Sequence, residues 1–147
     1  MNDLLAQGII VPSSSPRAAP VVLVEKKDPS DGPRFCVDYT GLNKVTKKDA
    51  YPIPLIRDIF DQLQGATIFS TLDLKGGFHQ LPLHPDDQEK TAFICHKGLY
   101  HWTRLPMGLA NTSALFQRAM GIVFKGLLRK IAMLNIDTFQ RSETILW

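Results

Sequence analysis

The chain has 147 residues, close to the ~150 typical of one domain, so a single hydrophobic core is within reach and a large multidomain enzyme is excluded. Hydrophobic residues make up 44% and charged residues 21%, which excludes the low-hydrophobicity, high-charge composition of disordered chains. A net charge of +3 suits a polyanionic partner without requiring one.

Cys36 and Cys95 form no CxxC pair and no dense framework, so both are expected as reduced, buried thiols. No basic leader precedes an apolar core, and no apolar run approaches the ~18 residues of a membrane span. The expected product is soluble and intracellular, with no membrane partner.

In chain order, Pro12 to Pro20 (PSSSPRAAP) predicts an extended surface segment. Val21 to Val24 predicts a short buried strand, Lys26 to Pro33 a polar hairpin loop, and Arg34 to Tyr39 the returning strand. In PIPLIRDIFDQLQG, Leu55, Ile56, Ile59, Phe60 and Leu63 share one helical face, with Pro54 near the first turn and Gly65 past the end. ATIFSTLDL then reads as a strand: Thr67, Phe69, Thr71 and Asp73 lie on one face, and Ile68, Ser70, Leu72 and Leu74 on the other.

Lys75-Gly76-Gly77 breaks that run, Phe78 to Leu83 reads as extended, and TAFICHKGLYHWTRL predicts a hairpin turning at His96-Lys97-Gly98. A second helix is expected over roughly Ser113 to Arg129, followed by a short buried strand from Ile131 to Ile136 that ends at Asp137. The sum is an α+β chain with mostly antiparallel strands.

Asp73 stands out chemically. A carboxylate at a strand end before a Gly-Gly break suits a divalent metal in a cleft, although an exposed strand-end acid is the plainer reading. Lys44, Lys47 and Lys48 beside Tyr51 fit either a nucleic-acid backbone or a solvated basic face.

The blocks SSSPRAAPVVLVEKKD, RFCVDYTGLNKVTKKDAYPIP, FSTLDLKGGFHQ, KTAF and LPMGLANTSALFQ, taken in order, resemble the reverse transcriptases of gypsy-type long-terminal-repeat retrotransposons from about Met1 to Thr138. The resemblance implies a partial right-hand polymerase: fingers over 1–48 and 84–105, an incomplete palm over 49–83 and 106–138, an unmatched tail over 139–147, and no thumb. It implies Asp73 as ligand of the catalytic Mg²⁺ (or Mn²⁺), and Phe78 as the aromatic under the nucleotide sugar that excludes a 2′-hydroxyl. Lys26 and Arg34 become triphosphate contacts, where Arg can bind two oxygens at once. Met107 and Gly108 become nucleotide contacts, and Gln117, Lys47 and Lys48 template or primer contacts. For Phe78 core packing competes with this role, and for Lys26 and Arg34 a solvated basic loop does.

The family's Tyr-x-Asp-Asp motif corresponds to Asn135-Ile136-Asp137-Thr138, which retains one acid, Asp137. Two-metal phosphoryl transfer needs carboxylates holding ions about 3.5–4 Å apart, so Asp73 and Asp137 are the candidate catalytic pair. FQRSETILW lacks the apolar alternation expected of a partner strand after Asp137. These features predict a truncated, degenerate RNA-directed DNA polymerase homologue, weak or inactive alone, acting on an RNA or DNA template with primer and deoxynucleoside triphosphates. A second chain completing the polymerase, a non-catalytic nucleic-acid-binding remnant, and a decayed, poorly folding product are the other expectations.

Overall fold

A computed structural model describes residues 1–25, 32–52, 55–62, 64–65, 67–68, 70–127, 133–136 and 143–146. The elements in order are α1 (Asn2–Ala6), β1 (Ile10–Pro12), β2 (Ala19–Val24), β3 (Arg34–Val37), α2 (Thr40–Val45), α3 (Ile56–Gln62), β4 (Thr71–Asp73), α4 (Gly77–Gln80), α5 (Pro85–Gln88), β5 (Phe93–Cys95), β6 (Gly98–Trp102), α6 (Thr112–Val123), β7 (Met133–Ile136) and β8 (Glu143–Leu146). The α+β expectation holds. No helix among the described residues is long and apolar enough to cross a membrane.

The chain divides into two compact units. Unit 1 comprises Met1–Lys47 and Phe78–Ala110. Its five strands run β1-β6-β5-β2-β3 and pair antiparallel except for β2 with β5. The predicted hairpin at His96-Lys97-Gly98 is the β5–β6 pair, with Cys95 opposite Gly98. Alternation along these strands turns Ile10, Phe93 and Trp102 inward with Tyr39 to form the buried core. Phe93 is its centre: its ring meets Phe35 edge-on at 5.5 Å and Trp102 at 5.7 Å. The Tyr39 hydroxyl donates to Thr91 O at 2.7 Å, and burial pushes its pKa up.

Unit 2 comprises Lys48–Gly77 and Asn111–Trp147. It holds α3, α6 and a three-stranded antiparallel sheet in the order β4-β8-β7.

Several expectations need correction. β2 is a strand, but Val22, Leu23 and Val24 are 46%, 64% and 46% exposed, so the expected buried strand packs its start, with Val21 half-buried against the core, and not its end. Cys36 and Cys95 are free thiols but only half-buried. Among the described residues of ATIFSTLDL the strand covers Thr71–Asp73, every residue of it exposed, while Ala66 and Phe69 lie outside the described residues. Of the residues read on one helical face, Leu55 precedes α3 and is 67% exposed, and Phe60 within it is 66% exposed. Phe78 to Leu83 is not extended throughout: Gly77–Gln80 make one helical turn, closed when Leu81 N donates to Phe78 O at 3.1 Å.

The second long helix ends earlier than expected, at Val123, where the chain turns and Gly126 takes φ +88°, a left-handed conformation favouring glycine. FQRSETILW does contribute a partner strand, since Glu143–Leu146 lies between β4 and β7. α1, α2 and α5 had no clear signal in the sequence. Lys26, Pro54, Leu63, Asp137 and Thr138 lie outside the described residues.

Candidate functional site

In unit 2, backbone register assembles the site. Asp73, the last residue of β4, stands opposite Thr144 on β8, and Thr144 stands opposite Asn135 on β7. The three positions form one row, with the outer strands about 10 Å apart from two strand spacings. β7 ends at Ile136, so the residue after it in sequence is Asp137. Asp73 is exposed. After Leu74 the chain turns at Lys75-Gly76, where Gly76 has φ +60°, a conformation that a β-carbon would strain.

Among the described residues no three His, Cys, Asp or Glu side chains come together as a metal cluster. Asp73 offers a hard carboxylate oxygen open to solvent, the donor type Mg²⁺ takes with one or two carboxylates plus phosphate oxygens. On its donor chemistry Asp73 therefore fits such an ion as one ligand of a set.

A second network in unit 2 was not singled out from the sequence. Arg118 Nη2 donates to both Asp49 carboxylate oxygens, at 2.9 and 2.7 Å, and its guanidinium lies 4.9 Å from the Tyr51 ring centre. Asp49 N in turn donates to Asn111 Oδ1 at 3.0 Å, so the segment after Lys48 is tied to the start of α6 and to its middle. Gln117, on the same helix, is 7% exposed, and its Oε1 has no hydrogen-bond partner among the described residues. Lys48 is exposed and belongs to unit 2; Lys47, also exposed, belongs to unit 1.

Unit 1 carries the remaining candidates. Arg34 opens β3 opposite Val24 and is half-buried. Phe78 sits half-buried in α4. Met107 and Gly108 form a turn in which Gly108 has φ +90°, and a β-carbon there would meet the Tyr39 ring and Val37 O at 3.6 Å. Asn43 holds this turn, with Nδ2 donating to Gly108 O at 2.8 Å and Oδ1 accepting from Ala110 N at 2.7 Å. Its place in GLNK on α2 gave no hint of contact with residues 65 positions away. Two-sided use of a side-chain amide is invisible until the fold brings the chain segments together. α2 itself starts where Asp38 Oδ1 accepts from Thr40 Oγ1 and from Thr40 N, and these bonds, the hydroxyl's first, hold the Asp38 carboxyl below the usual range.

Residues 24–141 match the family described as reverse transcriptase (RNA-dependent DNA polymerase). The chain is 43% identical over 141 residues to the retrovirus-related Pol polyprotein from transposon gypsy of Drosophila melanogaster, covering 93% of this chain and 14% of that polyprotein. Among solved structures it resembles native prototype foamy virus protease-reverse transcriptase, with a TM-score of 0.81 and 29% identity over 99% of this chain and 18% of that one. It also resembles foamy viral protease-reverse transcriptase in complex with RNA/DNA hybrid, with a TM-score of 0.78 and 27% identity over 99% of this chain and 18% of that one. The chain thus spans less than a fifth of the length of these relatives. With block order, sheet register and these likenesses in agreement, it belongs to the reverse transcriptase (RNA-dependent DNA polymerase) family.

Proposed function

We propose that the chain supplies fingers (1–48 and 84–105) and an incomplete palm (49–83 and 106–138) of an RNA-directed DNA polymerase. Its reaction is transfer of a nucleotide to a primer 3′-hydroxyl, with pyrophosphate leaving. The observation that carries this reading is the β4-β8-β7 sheet, in which Asp73 ends one outer strand and the other stops one residue before Asp137.

In this reading Asp73 and Asp137 hold Mg²⁺ or Mn²⁺, which would lower the barrier to deprotonating the primer hydroxyl and offset charge on the leaving pyrophosphate. Arg34 and Lys26 bind the triphosphate, with the guanidinium able to grip two oxygens. Phe78 lies under the sugar and excludes a 2′-hydroxyl, and the Met107–Gly108 turn, held by Asn43, lines the nucleotide. Lys47 and Lys48 contact the template or primer backbone as exposed cations. Gln117 acts on the same strands from within α6.

With one acid in Asn135-Ile136-Asp137-Thr138, transfer is slow. That single acid also favours a second reading, a nucleic-acid-binding remnant that carries out no transfer.

Primer extension on an RNA template, with Mg²⁺ and then Mn²⁺, separates the two. Weak incorporation that Asp73→Ala abolishes and Thr138→Asp raises supports the polymerase. Silence in all three proteins, together with salt-dependent primer–template binding that survives Asp73→Ala, supports the remnant.

A further inference from the structure

α4 is a single helical turn, too short to hold itself. Its position is therefore set by what anchors it. The residue after Phe78 is one such anchor: the His79 ring stacks on the Trp102 indole with 5.1 Å between centroids and 12° between planes. His79 Nδ1 lies 3.2 Å from Leu105 O, and because a carbonyl can only accept, Nδ1 carries the proton. Burial pushes the His79 pKa down, with the Leu105 hydrogen bond opposing, so the ring is neutral near pH 7.

The surface beneath is firm. Trp102 is 5% exposed and belongs to the buried cluster with Ile10, Tyr39 and Phe93. Backbone bonds complete the attachment: Leu105 N donates to Leu81 O at 2.9 Å, and Leu83 N donates to Thr103 O at 2.9 Å. A ring locked between a rigid indole and a backbone carbonyl is thus a side-chain tether of the turn that carries Phe78, beside the Arg104 guanidinium, which donates to Gln80 O at 3.4 Å.

We propose that His79 is a positioning residue for nucleotide selection: its stack on Trp102 and its bond to Leu105 O fix the α4 turn, and with it the place of the Phe78 ring. The inference rests on the reading of Phe78 as the residue that excludes a 2′-hydroxyl. Excluding one hydroxyl is a steric test, and a misplacement of ~1 Å at a reacting site can cost on the order of a hundredfold. Loss of the tether therefore erodes selectivity before it erodes binding.

The experiment is equilibrium binding of dGTP and of GTP, each with Mg²⁺, to the full chain and to Phe78→Ala, His79→Ala, His79→Gln and His79→Phe. Circular dichroism and a cooperative melt establish that each protein is folded. The unsubstituted chain is expected to prefer dGTP and Phe78→Ala to lose the preference. His79→Ala is expected to lower the dGTP:GTP ratio by about tenfold, with a smaller change in dGTP affinity. His79→Phe, which keeps a ring able to stack, restores much of the ratio. If His79→Ala does not fold, His79→Gln, which keeps a donor but no ring, shows the same fall.

An unchanged ratio in the histidine variants, or equal weakening toward both nucleotides, while Phe78→Ala still abolishes the preference, overturns the inference and leaves Phe78 intact. No preference in the unsubstituted chain removes the Phe78 reading, and the inference with it.

Discussion

In unit 1, Ile10, Tyr39, Phe93 and Trp102 are all at or below 5% exposure, whereas in unit 2 every residue of β4 is exposed and Ile68, Ile122 and Val123 keep 83%, 72% and 65% of their surface in solvent. α6 does bury Ala114, Phe116 and Met120. The contrast shows where apolar burial is concentrated and where the chain stays open to solvent. Burying apolar surface is favourable by roughly 25 cal/mol per Å², and unit 1 collects that gain around one aromatic cluster. Asp73 is open to solvent because every residue of β4 is exposed, which is the access that its proposed role as a metal ligand requires.

The sharpest way to break this comparison is to hollow out Phe93. Phe93→Ala should destabilise unit 1 by about 3–5 kcal/mol, read by chemical denaturation. Amide exchange should quicken in β1, β2, β5 and β6, while α6 keeps its protection. Equal quickening in α6 would mean that the two units unfold together and the contrast is only static. Arg118→Ala is the counterpart in unit 2. Because the Arg118 side chain is 51% exposed, its loss should cost about 0.5–1 kcal/mol and loosen the segment around Asp49 and Tyr51 in hydrogen exchange. A cost near that of Phe93→Ala would show that polar ties, not apolar burial, hold unit 2.

The smallest effect concerns pH. His79 titrates below its ordinary value of 6.5 in the folded chain, so the unfolded chain binds more protons as acid is added. The stability tied to its neutral form is complete above pH 6.5 and is lost as pH falls through 6.5 toward the lower folded-state value. His79→Phe should flatten this part of the melting-temperature profile relative to the unsubstituted chain. Identical profiles would show that the ring is not held neutral by unit 1.

Much of the fold was legible where a local signal coincided with a tertiary demand. The β5–β6 hairpin was visible because Lys97-Gly98 breaks two runs rich in aromatic and β-branched residues. α6 was visible in its three-and-four spacing, although its end was not, since Gly126 sits beyond a turn that apolar periodicity runs through. The α4 turn is not legible in Phe78-His79-Gln80, which is too short to display a helical repeat, and the turn is tied to distant residues, among them a tryptophan 23 positions later on which His79 stacks. β8 shows no apolar alternation in FQRSETILW, and what makes it a strand is backbone pairing with β4 on one edge and β7 on the other.

The sequence by itself determined the family, through ordered blocks that fix residue types at fixed spacings, and it singled out Asp73 as an acid ending a strand before a glycine break. Tertiary structure alone decided which distant groups share an environment. It set Asp73, Thr144 and Asn135 in one row, closed Asn43 on the Gly108 turn, and laid His79 on Trp102. The physical reason is that spacing along a chain encodes local periodicity, whereas register and ring stacking follow from which segments a core draws together.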